Sequence, residues 1–215
     1  MLYKKTLLRG AIAAAVAILC FLAGSASAND ILDDWDNVKV PGKIELKPVT
    51  LNPSTTALLI LDLNKGGSCT ERPRCMASLP NVKRIYDAAH AAGTMMWYST
   101  RSAADTIDPG FAAPDGIYMD QRGPDKFLGS NLEEKLKAAG IQTVILCGTS
   151  FQGVGVGTGT EAAQRGYKVI VPIDCLSSED PYMEQYSAWH FYKGGPNAVV
   201  RSSTLTRSTM IKFSK

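Results

Sequence analysis

TVILCGTSFQGVGVGTGTEAAQRGY, residues 143 to 167, decides the fold. Its first six residues are a short apolar run that stops at Gly148, as a buried strand does. A polar, glycine-rich turn follows, and EAAQRGY has the basic last turn and glycine stop of a helix end at Arg165 and Gly166. The pattern predicts strand, loop, helix. In open α/β sheets, ligands bind beyond the carboxyl ends of the strands, where helix N-termini present unpaired N–H groups. One wall of any active site is therefore expected between Thr149 and Thr158.

The same alternation extends in both directions. ALLIL (57–61) is a continuous apolar run ending at Asp62, which predicts a central parallel strand buried on both faces. Pro80 is expected to open a helix with Leu79, Val82, Ile85 and Ala89 on one face and Gly93 as its stop. TMMWYS (94–99) predicts a second strand, and the aperiodic stretch from Arg101 to Lys126 a lid or site wall. Ser130 with Glu133 predicts a capping box for a helix from Asn131 to Ala139. Val144–Cys147 is the third strand and YKVIVPI (167–173), ending at Asp174, the fourth. Ser177 or Ser178 is expected to cap a last helix from Glu179 to Tyr192, with Tyr182, Tyr186 and Trp189 along one side, before a final strand at Val199–Ser203. The fold class expected is α/β: a doubly wound, Rossmann-like, mostly parallel sheet with helices on both faces.

Lys4, Lys5 and Arg9 precede an uncharged run and the tripeptide Ala26-Ser27-Ala28, which predicts a signal peptide over residues 1–28 and a periplasmic or secreted protein. Cleavage there takes the formal charge from +3 to zero and leaves no basic stripe, which argues against nucleic acid or a membrane surface as a partner. Residues 29–54, with Pro41, Pro48 and Pro53, are expected as an N-terminal arm, and 55–215 as one domain. Four cysteines remain. Cys69 and Cys75 share one loop and are expected to be bridged, whereas Cys147 and Cys175 fall at strand ends as either a second bridge or two buried thiols.

Asp62, at the end of a buried strand, is either a general acid or base or the cap of the next turn. The alternating Gly153, Gly155, Gly157 and Gly159 lie too far from the strand for a dinucleotide fingerprint, and imply instead that a ligand or a second subunit packs close to that backbone. Ser150, Asp174 and His190 stand in the order of an α/β-hydrolase triad, but the spacing is compressed and Ser150 also reads as a capping hydroxyl. His90 and His190 are far apart, and no ligand spacing predicts a metal or other cofactor.

Three ordered blocks, ALLILDLN, GPDKFLGSNLEEKLKAAGI and ILCGTS…TEAAQRGYKVIVPIDCLSS, together resemble the isochorismatase-like, or cysteine hydrolase, family. The resemblance places Asp62 at the catalytic acid/base position, with Asn64 where the family has Gln. It puts Val154 at the nucleophilic cysteine and Gln121 at the lysine, so the thiol-ester route is not expected. It implies a homo-oligomer acting on a small molecule, with ligand contacts from Asn64, Gln121, Arg122, Lys126, Thr149, Ser150 and Val154. Some members of the family cleave a vinyl ether without the cysteine. An exported Asp62-dependent hydrolase follows, Arg122 or Lys126 holding an anionic substrate. A non-catalytic small-molecule-binding pseudoenzyme is the alternative, and a Ser150-based hydrolase a remote one.

Overall fold

The computed structural model describes residues 30–64, 69–70, 72–100, 110–111, 117–119 (backbone) and 123–214. The expected signal peptide, most of the Arg101–Lys126 stretch, Gln121 and Arg122 lie outside the described residues. The chain divides at Gly42 into two units. In the first, residues 30–42 contain one 3₁₀ turn, Trp35–Asn37, with Ile31, Leu32, Trp35, Val38 and Val40 exposed. The second begins at Lys43, so the later half of the expected arm is part of the larger unit: Ile44 and Leu46 pack on its core, and β1 (Val49–Leu51) pairs in parallel with β9 (Ile211–Phe213).

The main sheet is parallel throughout. Its strands are β2 (Thr56–Leu61), β3 (Met95–Ser99), β4 (Ile117–Met119), β5 (Thr143–Thr149), β6 (Lys168–Pro172) and β8 (Ser203–Thr206), in the order β4-β3-β2-β5-β6-β8. The short β7 (Leu176–Ser177) pairs with the end of β5. The chain starts at β2, winds outward through β3 to β4, then returns to β5 and winds the other way. The switch point therefore lies between β2 and β5, whose carboxyl ends flank a crevice.

Successive β2 side chains point to opposite faces. Ala57, Leu59 and Leu61 meet Leu132, Leu136, Ala162 and Phe191 on one side; Leu58 and Ile60 meet Val82, Ile85 and Ala89 on the other. Helices thus cover both faces, as the apolar run of β2 requires.

Several element boundaries differ from expectation. Helix α1 runs Pro73–Ala91, seven residues longer at its start, because Pro73 takes the first-turn position and Pro80 is carried inside. Ahead of α2 (Leu132–Ala138) no capping box forms: Ser130 Oγ accepts from the Leu132 N–H at 3.2 Å, while Glu133 turns to Lys137 and to Arg165 Nε at 3.0 Å. Helix α3 (Val156–Gln164) follows a π-helical turn, Phe151–Gly155. Asp180, rather than Ser177 or Ser178, caps α4 (Pro181–Trp189), its Oδ1 accepting from the Tyr182 N–H at 2.7 Å. A second π-helical turn, His190–Gly194, extends α4. Val199 is on a helix, α5 (Asn197–Ser202), and the strand expected there begins only at Ser203.

The glycine-rich start of α3 packs against its own chain. A Cβ on Gly157 would stand 2.8 Å from the Pro124 carbonyl oxygen, and one on Gly159 would stand 2.6 Å from the Phe191 ring. This accounts for the bare helix surface without a ligand or second subunit. Tyr182 and Tyr186 pair edge to face on the exposed side of α4, while Trp189 packs on Tyr192.

Candidate active site

β2 ends at Leu61, and Asp62 takes a positive φ of 55°, uncommon for a residue with a side chain. That turn sets its carboxylate against β3: Oδ1 accepts from Ser99 Oγ at 2.7 Å, and the Asp62 N–H donates to the Ser99 carbonyl at 3.0 Å. Lys126 Nζ stands 3.0 Å from the same Oδ1. The lysine side chain is 1% exposed and the aspartate side chain 11%. Nζ makes no well-aligned hydrogen bond among the described residues, so its contact with Asp62 is mainly electrostatic and its donors remain for a ligand. The side-chain contacts of Asp62 given above fall on Oδ1, and the residue lines the cavity described next.

Lys126 is placed from the opposite wall. Thr158, on α3, receives the Lys126 N–H at 3.2 Å on its hydroxyl, which donates to the Pro124 carbonyl at 3.1 Å. The close seat that Gly157 gives Pro124 completes this clamp. Gln121 was expected at the lysine position; the cation beside Asp62 is Lys126, five residues further on.

These groups open onto a cavity of about 250 Å³ lined by Asp62, Lys126, Thr149, Ser150, Val154 and Arg72, with Gly123, Pro124 and Gly153 completing the wall. Val154, the position expected for a nucleophile, is on the π-helical turn and presents only an apolar side chain. The Thr149–Ser150 peptide is cis, and Thr149 Oγ1 donates to the Ser177 carbonyl at 3.2 Å. Asn64 is buried and is not among the described residues that line the cavity. Gln121 and Arg122 lie outside the described residues.

Arg72 escaped the sequence reading. It sits inside the loop closed by the Cys69–Cys75 disulfide, its N–H donating to the Cys69 carbonyl at 2.8 Å, and its guanidinium pairs with Glu179 Oε1 at 3.1 Å. Two arginines, Arg72 and Arg74, bracketed by two cysteines shortly after the Asp62 strand are the signal that could have found it.

The triad is not assembled. Asp174 is held by Ser208, whose N–H and Oγ donate to its two carboxylate oxygens at 2.8 and 2.7 Å. His190 Nε2 lies 2.8 Å from Thr160 Oγ1, and burial lowers its pKa. Ser150 lines the cavity without either of them. Cys147 and Cys175 are buried free thiols; burial first, then Cys147, pushes the Cys175 thiol well up, so it is no nucleophile. Among the described residues no three His, Cys, Asp or Glu side chains are grouped to hold a metal.

The isochorismatase domain model matches residues 56–204, from the β2 strand that carries Asp62 to the β8 edge. The chain belongs to the isochorismatase family. It is 28% identical over 144 residues to the N-carbamoylsarcosine amidase of an Arthrobacter species, a match covering 53% of this chain; it spans only 53% of that relative's length. In fold, this isochorismatase-family chain resembles a cysteine hydrolase from Pseudomonas syringae pv. phaseolicola 1448A, with TM-score 0.66, 17% identity, and 77% and 94% of the two chains covered. An isochorismatase family protein from Desulfovibrio vulgaris subsp. vulgaris str. Hildenborough gives TM-score 0.64 and 18% identity over 72% of this chain and 95% of that one.

Proposed function

We propose that this isochorismatase-family protein is a hydrolase of a small molecule that works by Asp62 acid/base chemistry, without a cysteine nucleophile. The observation that carries this reading is the Asp62–Lys126 pair in the wall of a cavity also lined by the apolar Val154, the position at which the resemblance puts the nucleophile. A vinyl ether is the substrate class that suits it. A substrate oxygen that takes over the Lys126 charge lets Asp62 carry a proton taken from solvent, and Asp62 donates that proton to the terminal alkene carbon. A C–H bond forms from the π electrons, and the ether carbon becomes an oxocarbenium ion. Water then adds to that carbon and returns a proton to the Asp62 carboxylate, and the hemiketal collapses to a carbonyl and an alcohol. Lys126 Nζ, with donors to spare, stabilises the departing oxygen.

The deciding assay incubates simple enol ethers with wild type and Asp62→Asn. Loss of turnover by about a hundredfold or more per folded molecule supports the role; equal rates remove Asp62 from the chemistry. Val154 favours a second reading, a binding protein of the same fold that releases its ligand unchanged. A compound that raises the melting temperature and is recovered intact from wild type supports it.

We also read the chain as exported and homo-oligomeric. The basic, then apolar, first residues and the Cys69–Cys75 bridge are what support export. Cell fractionation tests the location and light scattering the assembly.

A further inference from the structure

Besides the Asp62–Lys126 pair, the cavity holds one more charged side chain among its described lining, Arg72. Its charge is surplus to the chemistry proposed above. Lys126 is matched by Asp62, deep in the wall, whereas among the described residues Arg72 is matched by Glu179, whose side chain is 62% exposed. An ion pair with so exposed a carboxylate is weak, so a ligand carboxylate competes readily with Glu179. The contact engages Arg72 Nη2, leaving the planar guanidinium with further donors for a second carboxylate. Lys126, whose buried Nζ makes no well-aligned hydrogen bond among the described residues, lines the same space.

The loop that delivers Arg72 is held at both ends. Its N–H donates to the Cys69 carbonyl, its own carbonyl accepts from the Met76 N–H at 3.0 Å in the first turn of α1, and the Cys69–Cys75 bridge closes the ring around it. Cys75 is fully buried against the core, which anchors the ring to the body of the fold.

We propose that Arg72, presented by the disulfide-closed loop, is the subsite for the carboxylate of an anionic ligand bound across the Asp62 cavity. The substrate class is thereby a small carboxylic acid anion. This rests on the reading of that cavity as the active site, but not on turnover, and Arg72 acts by binding rather than in the bond-breaking step.

The test uses unreactive probes. Benzoate, salicylate and pyruvate are titrated against their neutral amides by calorimetry with the oxidised full chain. At least one carboxylate is expected to bind wild type more tightly than its amide. Arg72→Gln should weaken that carboxylate about tenfold or more while leaving the amide unchanged, and Arg72→Lys should restore part of the loss. Glu179→Gln, which removes the competing carboxylate, should tighten the same ligand. Cys69→Ser with Cys75→Ser should weaken it in a folded protein. The proposal is overturned if none of the three carboxylates binds, if Arg72→Gln changes acid and amide alike, or if it changes neither. Unchanged affinity in the double serine variant overturns the role of the bridge. None of these probes is a vinyl ether, so failure here is distinct from failure of the Asp62 chemistry.

Discussion

Lys126 keeps an ammonium group under a nearly closed surface, and Asp62 is the counter-charge that makes this tolerable. Removing either partner strands the other. Asp62 read at the end of a strand suggests a substitution that spares stability; Asp62 in a buried pair does not. Lys126→Met should therefore destabilise the fold by about 3 kcal/mol, and Asp62→Asn comparably, whereas the double variant should recover much of the loss while remaining inactive. Urea unfolding of the four proteins measures the coupling, and additive losses would disprove it. His190 gives a second residue-scale expectation. Burial holds its pKa below the ordinary 6.5, so the unfolded chain takes up a proton first as pH falls. Its contribution to stability is complete above about pH 6.5 and is lost as pH falls through the folded-state value. His190→Gln should flatten the decline in melting temperature between pH 7 and pH 5, and an unchanged slope would show that other groups dominate there.

At the scale of elements, α3 and the segment bearing Lys126 are one device. The Gly157→Ala methyl would meet the Pro124 carbonyl oxygen, a backbone atom that cannot rotate away. The segment must shift, at a cost of about 1–3 kcal/mol, and Lys126 shifts with it. Gly157→Ala should lower turnover more than its loss of stability explains, whereas Gly166→Ala, with open space but a positive φ of 90°, should lower stability alone. Activity per folded molecule separates the two. What sequence showed of the elements follows from the same physics. The strands β2 and β5 were plain because burial on both faces leaves a continuous apolar run. The start of α1 was hidden because Pro73 and Pro80 both suit a first turn, and only the tertiary fold chooses. Ser130 and Glu133 had the spacing of a capping box, yet Lys137, one turn on, and Arg165, far along the chain, outcompete the Ser130 backbone for the Glu133 carboxylate.

For the whole molecule, every buried apolar residue described lies from Leu51 onward, so a chain beginning at Lys43 should still unfold cooperatively; a broad, non-cooperative melt would contradict this. No helix among the described residues is long and apolar enough to cross a membrane. The candidate site was half legible. Asp62, Thr149, Ser150 and Val154 follow from strand ends and the glycine-rich turn, which the sheet's switch point brings together. Lys126 was one of several cations on an aperiodic segment, and its selection depends on the Thr158 clamp from another element. Arg72 depends on a loop closed by a covalent bond and aimed by a helix, neither of which leaves a periodic trace.

The parallel order also governs how the molecule comes into being. Thr56 of β2 lies opposite Thr143 of β5, so the strand that carries Asp62 leaves the ribosome long before its second neighbour exists. Until then ALLIL is an apolar edge with unpaired backbone groups, the kind of surface that seeds aggregation. This late pairing delays folding: the central strand cannot be completed until most of the protein has been made. Any chain ending before β5 should accordingly be captured by chaperones or lost to inclusion bodies, and no fragment of the amino-terminal half should fold alone.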